Sequence, residues 1–78
     1  MEAHNRYQIA DDLEAAIASG RYAAGELMPS YQQVVHKYGV SAATARRAYQ
    51  ILRERGLVRG VRGRGIFVEG PGSAPEAV

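Results

Sequence analysis

Between Gly39 and Leu57 the chain reads GVSAATARRAYQILRERGL. Ser41, Ala42, Ala43 and Thr44 carry very little side chain, and Arg46, Arg47 and Gln50 follow them at once. Guanidinium groups behind a slim leading end suit recognition chemistry: they hydrogen-bond to a backbone phosphate or to a guanine edge. Bond-making chemistry has no comparable set. Asp11, Asp12 and Glu14 sit at adjacent helical positions that point in different directions, with no histidine spaced to join them, and read as a solvated face that favours a helix N-terminal half. His4, near the terminus, and His36, on an outward helix face, belong to no triad or ligand pattern; His36 could at most touch a phosphate. No catalytic residue, metal or cofactor is therefore expected. The chain has no cysteine, which excludes disulfides and thiolate zinc sites and makes a reducing cytoplasm the expected compartment. No apolar run approaches the length of a membrane span, and no signal peptide is visible.

The formal charge of +2 conceals an uneven distribution. Residues 1–29 carry Arg6 and Arg21 against Glu2, Asp11, Asp12, Glu14 and Glu26, whereas residues 41–64 carry seven arginines against Glu54 alone. A basic half of this kind is the electrostatic footprint of a nucleic-acid-binding face, although charge alone fits a solvated basic helix equally well.

Three helices and a hairpin must position these residues. RYQIADDLEAAIASG has Ile9, Leu13 and Ile17 four apart, with Ala10 and Ala16 beside them and Gly20 as the stop. RYAAGELMP has turn composition and ends at Pro29. In the second helix, Ser30 and Gln33 fit a capping box and Val34, Val35 and Tyr38 form the apolar side, with Gly39 as the turn. In the third, Ser41 is the N-cap, Ala45, Ala48, Tyr49 and Leu52 form one stripe, and Gly56 ends it. Leu57–Val58 and Ile66–Val68 flank glycines 60, 63 and 65 as a β-hairpin. The expected fold is α+β and mainly helical: a three-helix winged helix-turn-helix with a two-stranded wing, occupying residues 1–69. Residues 70–78, GPGSAPEAV, read as a linker or tail.

Across Gly39 the inward positions Val34, Tyr38, Val40, Ala45 and Ala48 are apolar, and the outward positions Gln32, Gln33, His36, Lys37, Ala43, Thr44, Arg46, Arg47 and Gln50 are polar or small. A B-DNA major groove is about 12 Å wide, close to a helix diameter, so an entering helix needs a slim end. The same end presents free N–H groups to a phosphate. Among the tyrosines, Tyr38 and Tyr49 fall inward, Tyr22 is expected to be buried, and Tyr31 remains as a backbone-contact candidate. RGVRGRG has an RGG-like look, but strand-like neighbours make it a wing.

Taken together, GRYAAGELMPS, VSAATARRAYQILRERGLV and GRGIFV resemble, in order and spacing, the DNA-binding domain of GntR-type bacterial transcription regulators over about residues 6 to 69. The resemblance implies a winged helix-turn-helix that binds palindromic operators as a dimer, with the third helix in the major groove and the wing tip at the minor groove. Carried over by position, it implies DNA contacts from Ser41, Thr44 and Arg46 and from Arg62 and Gly63. Two arginines usual in the family are replaced by Gln32 and Ala42, so the operator cannot be inherited; Arg47 and the wing arginines stand where they can compensate. Val35 replaces a small residue at the helix crossing and predicts a slightly wider separation. The whole expected DNA-binding set is Gln32, Ser41, Ala42, Ala43, Thr44, Arg46, Arg47, Gln50, Arg62, Gly63 and Arg64. An effector-binding domain, usual after the wing in this family, is absent from the chain, which reads as an excised domain or a minimal regulator. The expected function is sequence-specific binding of double-stranded DNA as a cytoplasmic, nucleoid-associated repressor. The alternatives are a winged helix that binds RNA, or one that binds a protein partner.

Overall fold

A computed structural model describes residues 4–69. It contains α1 (Arg6–Ala18), α2 (Tyr31–Tyr38), α3 (Ala42–Glu54), β1 (Val58–Val61) and β2 (Gly65–Val68), the expected three helices and hairpin in the expected order. The tail expected at 70–78 lies outside the described residues.

Each helix starts where a side chain satisfies its free N–H groups. Asn5 and Gln8 form a reciprocal capping box at α1, with hydrogen bonds of 2.9 and 3.0 Å. Ser30 and Gln33 do the same at α2. Ser41 caps α3 by accepting from the Thr44 N–H at 3.1 Å. Gly39 ends α2 with φ 67° and ψ 39°, a left-handed conformation that a side chain disfavours. Only Gly39, Val40 and Ser41 separate α2 from α3, the short turn of a helix-turn-helix.

α1 and α2 both pack on α3, and the core gathers Ile9, Leu13, Val34, Tyr49, Leu52 and Val68, all almost fully buried. Removing one such large apolar side chain from water contributes about 1.5–3 kcal/mol. The expected helical stripes are the observed ones, except that Ile17, Tyr22, Val35 and Tyr38 are half-buried at the margin of the core. Tyr49 is the anchor. It is fully buried, its hydroxyl donates to the Pro29 carbonyl at 2.6 Å, and the Tyr31 ring tilts against it at 5.6 Å.

β1 and β2 pair antiparallel in the register Val58↔Val68 to Val61↔Gly65. A third partner was not expected from the turn composition of residues 21–29. Leu27 bridges Phe67, and the Met28 N–H donates to the Ile66 carbonyl at 2.7 Å while the Val68 N–H donates to the Glu26 carbonyl at 3.0 Å. The segment before α2 thus holds the wing from its outer edge through backbone hydrogen bonds, with Met28 buried in the same core as Ile66 and Val68.

The acidic face of α1 also differs from expectation in part. It is solvent-exposed as expected, but its carboxylates do not simply diverge: Asp11 and Glu14 converge on one nitrogen of Arg55 at 2.9 and 2.7 Å, and Asp12 accepts a hydrogen bond from the Tyr38 hydroxyl. Positions 11 and 14 lie three apart and share a face, which is why one guanidinium reaches both. His4, expected near the terminus, packs edge-on against Tyr38 at 5.1 Å.

Candidate nucleic-acid interface

α3 carries two unlike faces. Ala45, Ala48, Tyr49 and Leu52 are buried, while Arg46, Arg47 and Gln50 are exposed. At its front, Ala42 is exposed and Ala43 and Thr44 are partly covered, so the slim end is a narrow edge rather than a fully open turn. The Ser41 hydroxyl, besides capping the helix, donates to Thr44 Oγ1 at 3.1 Å. This local pairing fixes both hydroxyls at the positive end of the α3 dipole, beside backbone N–H groups that have no intrahelical acceptor.

The wing presents the second group. A turn closed by the Arg64 N–H on the Val61 carbonyl at 2.9 Å carries Arg62, Gly63 and Arg64 at its tip, all exposed. Gly63 has φ 76°, a turn position that favours glycine and leaves the backbone bare between two guanidinium groups. Gln32 is exposed on the first turn of α2. The structure therefore exposes Gln32, Ala42, Arg46, Arg47 and Gln50 on the helix-turn-helix and Arg62, Gly63 and Arg64 on the wing, with Ser41 exposed and Ala43 and Thr44 half-covered at the α3 front.

Three residues near this surface, Arg6, Tyr7 and Arg53, lie outside the DNA-binding set expected from sequence. Arg6 lies over the Tyr7 ring at 4.7 Å, and both line a shallow groove with Arg47 and Gln50 at the start of α1. Arg53 lines the groove beneath the wing with Arg62 and Arg64. Conversely, Arg55, counted above with the basic half, is occupied by Asp11 and Glu14, whose hydrogen bonds raise its pKa against a smaller opposing effect of burial. Arg55→Gln is accordingly expected to leave the salt dependence of DNA binding unchanged and to lower the melting temperature slightly, as paired fluorescence titrations and thermal melts will show.

Among the described residues no cluster of His, Cys, Asp and Glu could hold a metal ion, and no helix is long and apolar enough to cross a membrane.

Comparison with known proteins agrees with this geometry. The sequence profile described as "Bacterial regulatory proteins, gntR family" matches residues 5–68. An uncharacterised HTH-type transcriptional regulator of Rhizobium meliloti is 42% identical over 62 residues, covering 80% of this chain and 25% of that protein. The HTH-type transcriptional repressor NagR of Bacillus subtilis is 34% identical over 65 residues, covering 83% of this chain and 27% of its own length. The chain thus spans about a quarter of the length of these relatives. Among solved structures, the DNA-binding domain of AraR in complex with operator ORR3 superposes with a TM-score of 0.76 at 30% identity, over 81% of this chain and 77% of that one. A family match over nearly all described residues, joined to a capped helix-turn-helix and a two-stranded wing, makes this chain a member of the gntR family of bacterial regulatory proteins, as its winged helix-turn-helix DNA-binding domain.

Proposed function

We propose that this chain reads double-stranded DNA in a sequence-specific way for a transcription repressor, with α3 in the major groove and the wing at the minor groove. The observation that carries the reading is the division of α3. One face is locked into the core, and the other offers Arg46, Arg47 and Gln50 behind a narrow capped end. Arg46 is assigned to a guanine edge, Ser41, Thr44 and the α3 N–H groups to phosphate, and Arg62, Gly63 and Arg64 to the minor groove and its rims. Arg47, Gln50 and Gln32 flank the entry. The operator complex of the AraR domain supports a duplex as partner, and the repressor name of NagR supports repression. Two copies on an inverted repeat are expected, because one domain on one half-site lacks the avidity of a pair. The cytoplasm is the compartment this reading requires, and no catalytic step belongs to it.

The test is selection from a randomised duplex pool, with bound sequences recovered and read. Recovery of a short motif, repeated in inverted orientation at higher protein concentration, is the expected result. Retention of duplex without sequence preference would reduce the arginine face to an electrostatic patch, and preferential capture of RNA would replace the reading altogether.

The wing gives a separable expectation. Arg62→Ala or Arg64→Ala should weaken binding to selected and random duplexes by the same factor and reduce the salt slope by about one per lost phosphate contact. Titrations of both duplexes at several salt concentrations check it; a loss confined to the selected motif would instead make the wing a base reader.

A further inference from the structure

Arg53 follows Arg46 by seven residues, which puts it on the same side of α3, about 10 Å further along the axis. Its guanidinium lies against Gly60 in β1. A Cβ on Gly60 would stand 2.8 Å from Arg53 Nη2, closer than real contacts allow, and 3.4 Å from Cζ. Gly60 is not among the glycines with positive φ, so its backbone does not ask for glycine. A glycine inside a strand weakens it and commonly marks a place where another group comes close. Here the missing side chain is the seat of the Arg53 guanidinium.

That seat opens on the groove between the wing and the start of α2, which Arg53 shares with Arg62, Arg64, Ser30 and Tyr31. No acidic residue lines it, and Arg53 makes no ion pair with the described residues. Three guanidinium groups on one groove without a carboxylate repel each other until an anion joins them. Duplex geometry supplies one. Major and minor grooves are separated by a sugar-phosphate strand, so a domain with α3 in one groove and its wing at the next must straddle that strand. The groove between α3 and the wing is where the strand has to run.

We propose that Arg53, held in place by the absent side chain of Gly60, is a phosphodiester contact that grips the DNA strand passing between the recognition helix and the wing. The proposal rests on the duplex reading above and adds to it a backbone site on the back half of α3. Arg53 carries no sequence information in this arrangement. It adds affinity to every sequence and fixes the wing to α3 when DNA is bound.

The test is a salt titration of binding to a fluorescent random-sequence duplex and to a selected one, for the wild-type chain, Arg53→Gln, Arg53→Lys, Gly60→Ala and the double variant Arg53→Gln with Gly60→Ala. Arg53→Gln should weaken both duplexes by the same factor, roughly threefold to tenfold at low salt, and reduce the slope by about one; Arg53→Lys should keep the slope. Gly60→Ala preserves every charge but displaces the guanidinium, so it should weaken the wild-type chain and add nothing to Arg53→Gln. Both sites are exposed, and thermal melts of each variant confirm that the fold is retained. An unchanged slope in Arg53→Gln would overturn the proposal. So would a loss confined to the selected duplex, or a Gly60→Ala effect that is absent or equal in both backgrounds. A wild-type chain that binds no duplex would remove the underlying reading and this proposal with it, and is distinguishable from those outcomes.

Discussion

Replacing Arg46 with alanine is expected to weaken binding to the selected motif by about 1–3 kcal/mol, a factor of roughly 5 to 150, while binding to random duplex changes far less. The difference between the two duplexes is the informative quantity. A guanidinium bidentate on a guanine O6 and N7 contributes only where that guanine is present, whereas a phosphate contact contributes everywhere. Arg46 is exposed and makes no hydrogen bond or ion pair with the described residues, so its removal leaves the melting temperature close to that of the wild type. Arg46→Lys should recover affinity for random duplex but not the preference, because an ammonium supplies charge without the planar fork. Titration of all three chains against both duplexes at one salt concentration checks this. Equal losses on the two duplexes would move Arg46 from base reader to backbone contact and pass the readout to Arg47 or Gln50, its neighbours on the exposed face.

What the sequence revealed follows the range of the interactions. Ser30 with Gln33, Ser41 ahead of Thr44, and Gly39 between two helices act over three or four residues, so their spacing is visible in one dimension. The stripe Ala45, Ala48, Tyr49 and Leu52 is visible for the same reason, since helical period fixes the buried side. The Asn5–Gln8 box is equally local and was legible in principle, but no apolar contrast marks that boundary. Contacts that span the chain left no such trace. Arg55 meets Asp11 across 44 residues and Glu14 across 41, and nothing local distinguishes it from the arginines free to meet DNA. Leu27 joins the wing through backbone hydrogen bonds, which any residue can make, so its composition read as a turn. The seat of Arg53 depends on Gly60 being beside it in space, and a glycine among several in a hairpin read as turn chemistry. The basic surface is consequently smaller by Arg55, and Arg53 stands closer to the wing, than the charge count alone suggested.

Tyr49→Ala carries the largest expected effect on stability, about 3–5 kcal/mol. A 78-residue domain holds roughly 4–12 kcal/mol in all, so this variant should lose a large share of its stability and melt far below the wild type. The milder Tyr49→Phe keeps the ring against Tyr31 but takes the donor from the Pro29 carbonyl, and should cost about 1–2 kcal/mol in urea melts. Alkaline pH tests the same anchor without a mutation. Burial raises the Tyr49 pKa, nearby tyrosines adding to it, and burial followed by the hydrogen bond to Asp12 raises that of Tyr38. Both phenols would ionise near 10 in the unfolded chain but resist ionisation in the fold. Stability from these groups is therefore complete below pH 10 and is lost as the pH rises beyond it. Tyr49→Phe, which cannot ionise at that position, should lose less of its remaining stability over the same range. Where Tyr49→Phe is fully folded, its preference for the selected motif should equal that of the wild type. Tyr49 anchors the inner side of α3 through Pro29, whereas the preference belongs to Arg46 on the outer side, and a change in preference on losing one buried hydroxyl would mean that α3 shifts on DNA when its anchor loosens.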